Sequence, residues 1–436
     1  MAHAHRPIPS LRWWIGGLLF ASTVINYIDR QTLSLLAPTL KVDFHWTNSD
    51  YATLVVAFRV AYSIGQSAFG RLMDRVGTRR GLTFTVIGYS IISLLTSLAR
   101  GFYSFATFRF LLGAGESANW PAATKAVSEW FPKRERALAT ALFDSGSSIG
   151  AAVAPFIVMR WIYPRWGWRP AIALPSILGF LWVIAWRWLY HTPETHDRIT
   201  TGERAMIAAD KVESAAPGRK ELRPAWRDLL KLPQTWGTIV AKTFTDPVFF
   251  FIAEWLPMYL AAKRIESNSQ LIAETIPFVA ADAGSFFAGW FSGYLIRRGV
   301  SLGWARRVPV IYGGIGMTLL IFTIFTTNPY VIALLFSVVT FTYGGFTVVA
   351  NTLPSDLFSS GSVASVSGMG GTLTGAGTIV ATILIGRLSD ARQSAGTHSF
   401  DPILIIAGIV PFVGMILTLL LVRNNEATER GLVRRI

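Results

Sequence analysis

The sequence predicts an all-α membrane protein, with twelve transmembrane helices in two pseudo-symmetric bundles of six. One observation is composition: 436 residues, 52% of them hydrophobic and only 15% charged, with 16 Trp, outside the usual range of soluble domains. A second is the recurrence of apolar runs of about 20 residues, the length that crosses the hydrocarbon core of a bilayer. They fall at 13–36, 50–70, 81–99, 103–124, 137–159, 170–190, 236–260, 272–296, 308–327, 330–352, 366–386 and 402–422. The third is charge placement. Lys and Arg gather at the termini and in alternate loops, as orientation signals do, which puts both termini in the cytoplasm. The net charge of +15 then needs no nucleic-acid partner.

The one long connection divides the chain into an N-terminal six-helix bundle (1–190), a cytoplasmic linker (191–234) and a C-terminal six-helix bundle (235–436). The linker mixes Glu194, Arg198, Arg204, Asp210, Glu213, Arg219, Lys220 and Glu221 with Pro193, Pro217 and Pro224, a composition expected for an amphipathic or partly disordered surface strap. Internal repetition supports two related halves. Gly70-Arg71-Leu72 and Gly293-Tyr294-Leu295 end spans 2 and 8, and Gly146 and Gly150 of span 5 match Gly371 and Gly375 of span 11. The separations, 223 and 225 residues, nearly agree, as duplicated halves related by an axis along the membrane normal require. The chain has no Cys, which removes disulfides and thiolate metal sites. A short polar leader runs directly into the first span, so no removable signal peptide is expected.

Charges inside the spans are the strongest functional signal, because an ionised group in hydrocarbon costs several kcal/mol unless it is paired or faces a wet cavity. Span 1 carries Asn26-Tyr27-Ile28-Asp29-Arg30, with Asn26 one turn from both charges. Span 4 carries Arg109 and Glu116, seven residues or two turns apart and so on one face, with Gly113 and Gly115 leaving room for a neighbouring helix or a ligand. An anion could dock on the Arg while the Glu titrates, or the two could form a packing salt bridge.

Between spans 2 and 3 stands Gly70-Arg-Leu-Met-Asp74-Arg75-Val-Gly77-Thr-Arg79-Arg80. The glycines suit close packing and a tight turn, and Asp74 suits capping or pairing across helix ends. This pattern resembles the signature of the major facilitator superfamily, and the loop after Gly293 keeps the basic charge without the Asp. Asn-Tyr-Ile-Asp-Arg on span 1 and Arg-x6-Glu on span 4 narrow the resemblance to its anion:cation symporter branch, which includes bacterial hexuronate and galactonate transporters. The resemblance implies that Asp29 and Glu116 carry the coupling proton, and that Arg30, Arg109, Tyr27 and Tyr62 serve the substrate anion. It implies a gating role for Gly70, Asp74, Arg75, Gly77 and Arg79.

Secondary candidates follow from the residues themselves. Arg59 lies one turn from Tyr62 and either faces a wet interior or snorkels to the headgroups. Glu254 stands 225 residues after Asp29, as a counterpart in the second half. Asp282 needs a partner, which Lys242 or the substrate could supply, though Lys242 and Asp246 could also pair across one turn. Ser147 and Asn351 offer hydroxyl and amide groups at the depth of a polyol, or act in helix packing.

The expectation is a proton-coupled symporter that imports a small organic anion, foremost a hexuronate such as glucuronate or galacturonate, by alternating access across a bacterial inner membrane. Another carboxylate, an aldonate such as galactonate or an aromatic acid, is the nearest alternative. A proton antiporter exporting amphiphiles would carry Gly-Pro adjacent in span 5, where Gly150 and Pro155 are separated. A membrane enzyme would collect its polar groups on interfacial loops. No phosphate-binding loop or zinc spacing occurs, so no metal or cofactor is expected beyond H⁺ as the coupling ion, with Na⁺ as the alternative. The expected partners are the small-molecule anion and the lipid bilayer, and the expected working unit is a monomer.

Overall fold

The computed structural model describes residues 6–46, 48–212, 224–263, 267–394 and 400–422. Among these residues the secondary structure is helical, apart from one isolated parallel bridge between Ile8 and Ile199. Contacts divide the chain into two compact units, Met1–Pro224 with Ser359–Thr372, and Ala225–Phe358 with Leu373–Ile436.

The first unit contains α1 (Leu11–Asp43), α2 (Asn48–Val76), α3 (Thr78–Thr96), α4 (Phe102–Glu116), α5 (Asn119–Trp130), α6 (Lys133–Pro155), α7 (Trp168–Leu189) and α8 (Thr201–Val212). The later helices are α9 (Pro233–Thr243), α10 (Asp246–Ala262), α11 (Ser267–Arg297), α12 (Leu302–Met317), α13 (Pro329–Leu357), α14 (Val363–Ser394) and α15 (Asp401–Leu421). α6 continues through a π-helical stretch, Phe156–Ile162, and α12 through a 3₁₀ stretch, Thr318–Phe325. With α4 and α5 taken as one broken rod, α9 and α10 as another, and α8 as part of the linker, the described helices form the twelve expected rods.

The breaks have local causes. Span 4 reads as continuous in the sequence, but the chain turns at Ser117 and Ala118. Pro121 has no N–H to return to the carbonyl one turn before it. The Ser117 hydroxyl donates to the Ala114 carbonyl at 2.6 Å, and Asn119 bridges to α1, accepting from Ser22 at 2.9 Å and donating to Thr23 at 3.1 Å. Span 7 breaks at Phe244 and Thr245, where Pro247 follows Asp246 in the first turn of α10.

By length and composition alone, five helical stretches among the described residues are apolar enough to cross a membrane: Lys133–Trp166, Trp168–Leu189, Leu302–Phe325, Pro329–Leu357 and Asp401–Leu421. The two broken rods fall short in length, with helices of 15 and 12 residues and of 11 and 17, whereas others bury polar side chains inside their unit. α1 holds Ser22, Thr23, Asn26, Asp29 and Thr32 at 5% exposure or less. Outward faces are apolar, with Phe84, Phe156, Ile184, Phe325 and Leu334 all exposed, as lipid contact allows.

Close helix approach fixes the inner geometry. A methyl group added at Gly146 or Gly150 of α6 would stand 2.7 Å from the Phe20 carbonyl oxygen or 2.6 Å from that of Val24, so only glycine lets α6 lie against the α1 backbone. Trp182 ties α7 to α1 by donating its indole N–H to the Leu18 carbonyl at 2.7 Å. Trp182, Trp186 and Tyr190 stack in sequence, with centroids 4.9 and 4.0 Å apart. In the second unit, α11 and α13 meet at Gly284 and Gly344, which face the carbonyls of Phe341 and Ala281.

The linker, expected as a surface strap, contains α8 and a short helical turn at Trp226–Leu229, and residues 213–223 lie outside the described part. Glu203 of α8 is buried and accepts from the backbone N–H groups of Leu11 and Arg12 at 3.0 and 3.1 Å, so the linker caps α1.

Gly150→Val should overpack the α1–α6 contact, costing about 1–3 kcal/mol and lowering the apparent Tm in detergent. Gly17→Ala, where nothing lies within 4 Å of the added methyl, should leave it nearly unchanged. Equal melting of both variants would contradict the contact.

Candidate functional site

Three helices of the first unit bring the intramembrane charges together. α4 approaches α2 closely because Gly113 faces the Phe58 backbone, and it approaches α3 because Gly115 faces Tyr89. The room these glycines provide is therefore taken by neighbouring helices. The result is that Arg109 and Glu116 point into the unit, with exposures of 6% and 0%, toward Asn26 and Asp29 of α1, at 0% and 5%.

The ion pair crosses helices. Arg30 Nη2 donates to Glu116 Oε2 and to Asn26 Oδ1, both at 3.2 Å. The Arg30 guanidinium is boxed by three rings, with its carbon 4.7 Å from the centroid of Tyr27, 5.0 Å from Phe58 and 4.7 Å from Tyr62. Phe58 and Tyr62, one turn apart on α2, stack at 5.7 Å, and Arg109 stands 4.9 Å from the Phe58 ring. Aromatic faces attract a guanidinium with about 0.5–2 kcal/mol each and cannot take its proton or compete for its N–H groups. The ring faces therefore hold the cation, while its N–H groups go to the oxygens of Glu116, Asn26 and the Tyr62 hydroxyl.

Asp29 lines a small cleft together with Thr32, Ser93, Thr96, Arg109 and Ile172. The site thus divides into an Arg30–Glu116 pair and an Asp29–Arg109 cleft, joined through Phe58. Its hydrogen bonding is incomplete. Asn26 Nδ2, Asp29 Oδ2, Arg30 Nε, Arg109 Nε and Glu116 Oε1 are all buried without a partner. Buried polar groups are rarely left so, and five of them fall in this one cluster.

The motif that spans the end of α2 and the start of α3 serves a different end of the unit. Asp74 is 1% exposed, and its carboxylate accepts from Lys125 Nζ of α5 at 3.0 Å. It also accepts from the backbone N–H groups of Ala364 at 3.3 Å and Ser365 at 2.7 Å, in the first turn of α14, where the helix dipole favours an anion. Gly70 faces the Ala364 carbonyl, and Gly77 adopts φ of 83°, a conformation that L side chains rarely accept. Arg79 donates to the Arg187 carbonyl at 2.6 Å, and Arg75 is exposed.

In the second unit Lys242 donates to Asn351 Oδ1 at 2.7 Å and lies 3.8 Å from Asp246 Oδ2. Asp246 Oδ1 accepts from Tyr343 at 3.1 Å and Thr347 at 3.2 Å. Lys242 is thus engaged with Asp246 and Asn351, while Asp282 is half-buried on α11. Ser147 donates its hydroxyl to the Asp144 carbonyl at 2.7 Å and stands beside the Tyr27 phenol. Arg59 is half-buried, and the Glu254 side chain lies outside the described residues.

Sequence reading missed Phe58, Ser93, Lys125 and Tyr343. Phe58 was findable as an aromatic one turn from Tyr62, and Lys125 as a cation at the edge of a span. Ser93 and Tyr343 carried no local signal, since only tertiary packing brings them to Asp29 and Asp246.

The sequence pattern of the Major Facilitator Superfamily matches residues 19–382. The chain is 28% identical over 428 residues to the hexuronate transporter of Escherichia coli strain K12, covering 97% of each. It is 27% identical over 414 residues to the D-galactonate transporter of Escherichia coli O6:H1, covering 93% of this chain and 94% of that one. Its fold matches the proton:xylose symporter XylE with a TM-score of 0.70 and 14% identity, over 96% of this chain and 98% of that one.

Lys125→Met should strand the Asp74 carboxylate in a buried setting and cost about 3–5 kcal/mol, read as a large fall in apparent Tm. Asp74→Asn, which can still accept from Ser365, should cost less. The reverse order would contradict the pairing.

Proposed function

Because the chain belongs to the Major Facilitator Superfamily, we propose that it is a proton-coupled symporter that imports a sugar acid into a bacterial cell by alternating access. Its preferred substrate is a hexuronate such as glucuronate or galacturonate. It is a multi-pass membrane transporter and not an enzyme. The inner membrane, with both termini cytoplasmic, is its proposed location, and the monomer its working unit.

The observation that carries this reading is the Arg30–Glu116 pair inside its aromatic box, with unsatisfied polar atoms on both partners. A substrate carboxylate offers Arg30 two oxygens for its planar fork, where Glu116 supplies one, Oε2. Once Arg30 turns to the substrate, Glu116 is a buried carboxylate without its cation and takes up a proton to become neutral. Asp29 and Arg109 line one cleft, with the Asp29 carboxylate bonded to Ser93. Anion and proton therefore favour each other's binding, the coupling that symport needs. Loaded in this way, the site has less uncompensated charge to move through the hydrocarbon layer. In the first unit Tyr27, Tyr62 and Ser147 offer hydroxyls to a sugar; Asn351, whose amide oxygen accepts from Lys242, is a further candidate contact.

Two relatives support the substrate class, being named for a hexuronate and for D-galactonate. A six-carbon polyol acid is the shared chemistry, and an aldonate is the second substrate to try.

The test is uptake of labelled glucuronate, galacturonate and galactonate into proteoliposomes under an imposed pH gradient or a sodium gradient. Concentrative uptake of a hexuronate driven by protons is expected. Glu116→Gln should abolish gradient-driven accumulation yet keep exchange of internal for external substrate, and Arg30→Lys, which loses the planar fork, should weaken apparent affinity by about tenfold or more. Retained concentrative uptake in Glu116→Gln, or accumulation driven only by sodium, would overturn the proton role.

A further inference from the structure

Away from the charged centre, the chain between α7 and the end of α8 carries a titratable group held in an unusual way. His196 is 4% exposed. Its Nε2 faces the Leu189 carbonyl at 2.8 Å, and its Nδ1 receives the backbone N–H of Arg198 at 3.0 Å. A carbonyl only accepts and a backbone N–H only donates, so these two partners together fix one neutral tautomer, with the proton on Nε2. The imidazolium has N–H groups at both positions and would set a second donor against the Arg198 N–H.

What this ring fastens is a strap that reaches the start of α1. Ile8 donates its N–H to the Arg198 carbonyl at 2.8 Å and bridges Ile199. Four residues on, Glu203 accepts from Leu11 and Arg12 backbone N–H groups, and from Arg12 Nη1 at 2.8 Å, while Arg12 Nε donates to Glu135 of α6 at 2.7 Å. Thr200-x-x-Glu203 has the spacing of a helix capping box. Thr200 Oγ1 does accept from the Glu203 N–H at 3.2 Å, but the glutamate carboxylate caps α1 rather than its own helix. Releasing the chain at 196–198 therefore loosens the cap of the helix that bears Asp29 and Arg30.

We propose that His196 is a proton-operated latch, whose protonation releases the strap formed by residues 192–212, and with it the cap on α1, from the base of the first unit. The latch is independent of which substrate is carried. On α5 it faces Trp130, edge to face at 5.7 Å, beside Glu129, which Tyr190 and Thr78 bond. From the end of α7 come His191, with its ring at 5.3 Å, and Arg187, and from α3 comes Arg79. The strap itself supplies Glu194, Asp197, Arg198 and Arg204, whose Nη2 donates to the His196 carbonyl at 2.6 Å. This surround is basic on balance and opposes a further cation. Burial first, and then Arg198 and Arg204, hold the His196 ring below the ordinary histidine value of 6.5, against the Leu189 carbonyl and Asp197, which raise it. The neutral ring is thus the docked form. Its contribution to docking is complete above the free-histidine value and is lost as the pH falls through the lowered, docked one.

Hydrogen–deuterium exchange on the full-length protein in detergent, corrected for intrinsic rates, tests the latch. Between about pH 7.5 and about pH 5 the wild-type amides of residues 196–207 should lose protection by about tenfold or more. His196→Asn keeps an acceptor for the Arg198 N–H and has nothing to protonate, so its protection should not change with pH, whereas His191→Asn should keep the step. Arg204→Gln, which retains a donor to the His196 carbonyl, should move the midpoint to higher pH, and Asp197→Asn should move it to lower pH. A wild-type strap with constant protection, or a step that survives in His196→Asn, would overturn the proposal. Should His196→Asn not fold, Arg204→Gln and Asp197→Asn decide, because midpoints that stay put or move together would overturn it equally.

Discussion

A half-buried guanidinium paired with a wholly buried carboxylate among apolar helices imposes the constraint around which the first unit is built. Arg30 and Glu116 lie at 3.2 Å with the glutamate wholly buried. A pair of this kind gains little over well-packed hydrophobic residues, because removing both ions from water costs nearly what their attraction returns. Its presence makes more sense for exchange than for stability. The same low dielectric that makes the pair costly to bury makes Glu116 respond strongly when Arg30 finds another anion.

Much of the surrounding sequence reads as provision for that pair. Glycines 113 and 115 bring α4 against α2 and α3, and glycines 146 and 150 bring α6 against α1, so that side chains from three helices meet in one cluster. Tyr27, Phe58 and Tyr62 hold the arginine through their ring faces. These attract the cation, while Glu116, Asn26 and the Tyr62 hydroxyl take its N–H groups. Asp29 and Arg109 repeat the combination of opposite charges in the adjoining cleft. Outside the cluster, Asp74 takes two backbone N–H groups and Lys125, a satisfied arrangement in contrast to the unsatisfied one at the centre.

The helical rods and the charged residues of the centre were legible because their signals are local. Apolar runs of membrane length announce spans, and a charge within such a run is conspicuous. The heptad spacing of Arg109 and Glu116 placed both on one helix face, as found, but spacing within a helix cannot name a partner on another. The glutamate pairs with Arg30 and not with Arg109. Breaks at Ser117 and at Phe244 were hidden for a related reason. Apolar composition persists across them, and the hydrogen bonds that stabilise the turn, such as Asn119 to Ser22 and Thr23, come from another helix. The linker looked like a loose strap by composition, whereas Glu203 and His196 dock its first part through contacts to residues far away in sequence.

Coupling between anion and proton is the central claim, and proton uptake on substrate binding measures it most directly. Purified protein in weakly buffered detergent solution with a pH-sensitive dye should take up protons when glucuronate or galacturonate is added, in proportion to the sites filled, and Glu116→Gln should bind with that uptake reduced or gone. Saturating binding of either acid with no proton movement, or with the same movement in Glu116→Gln, would contradict the account.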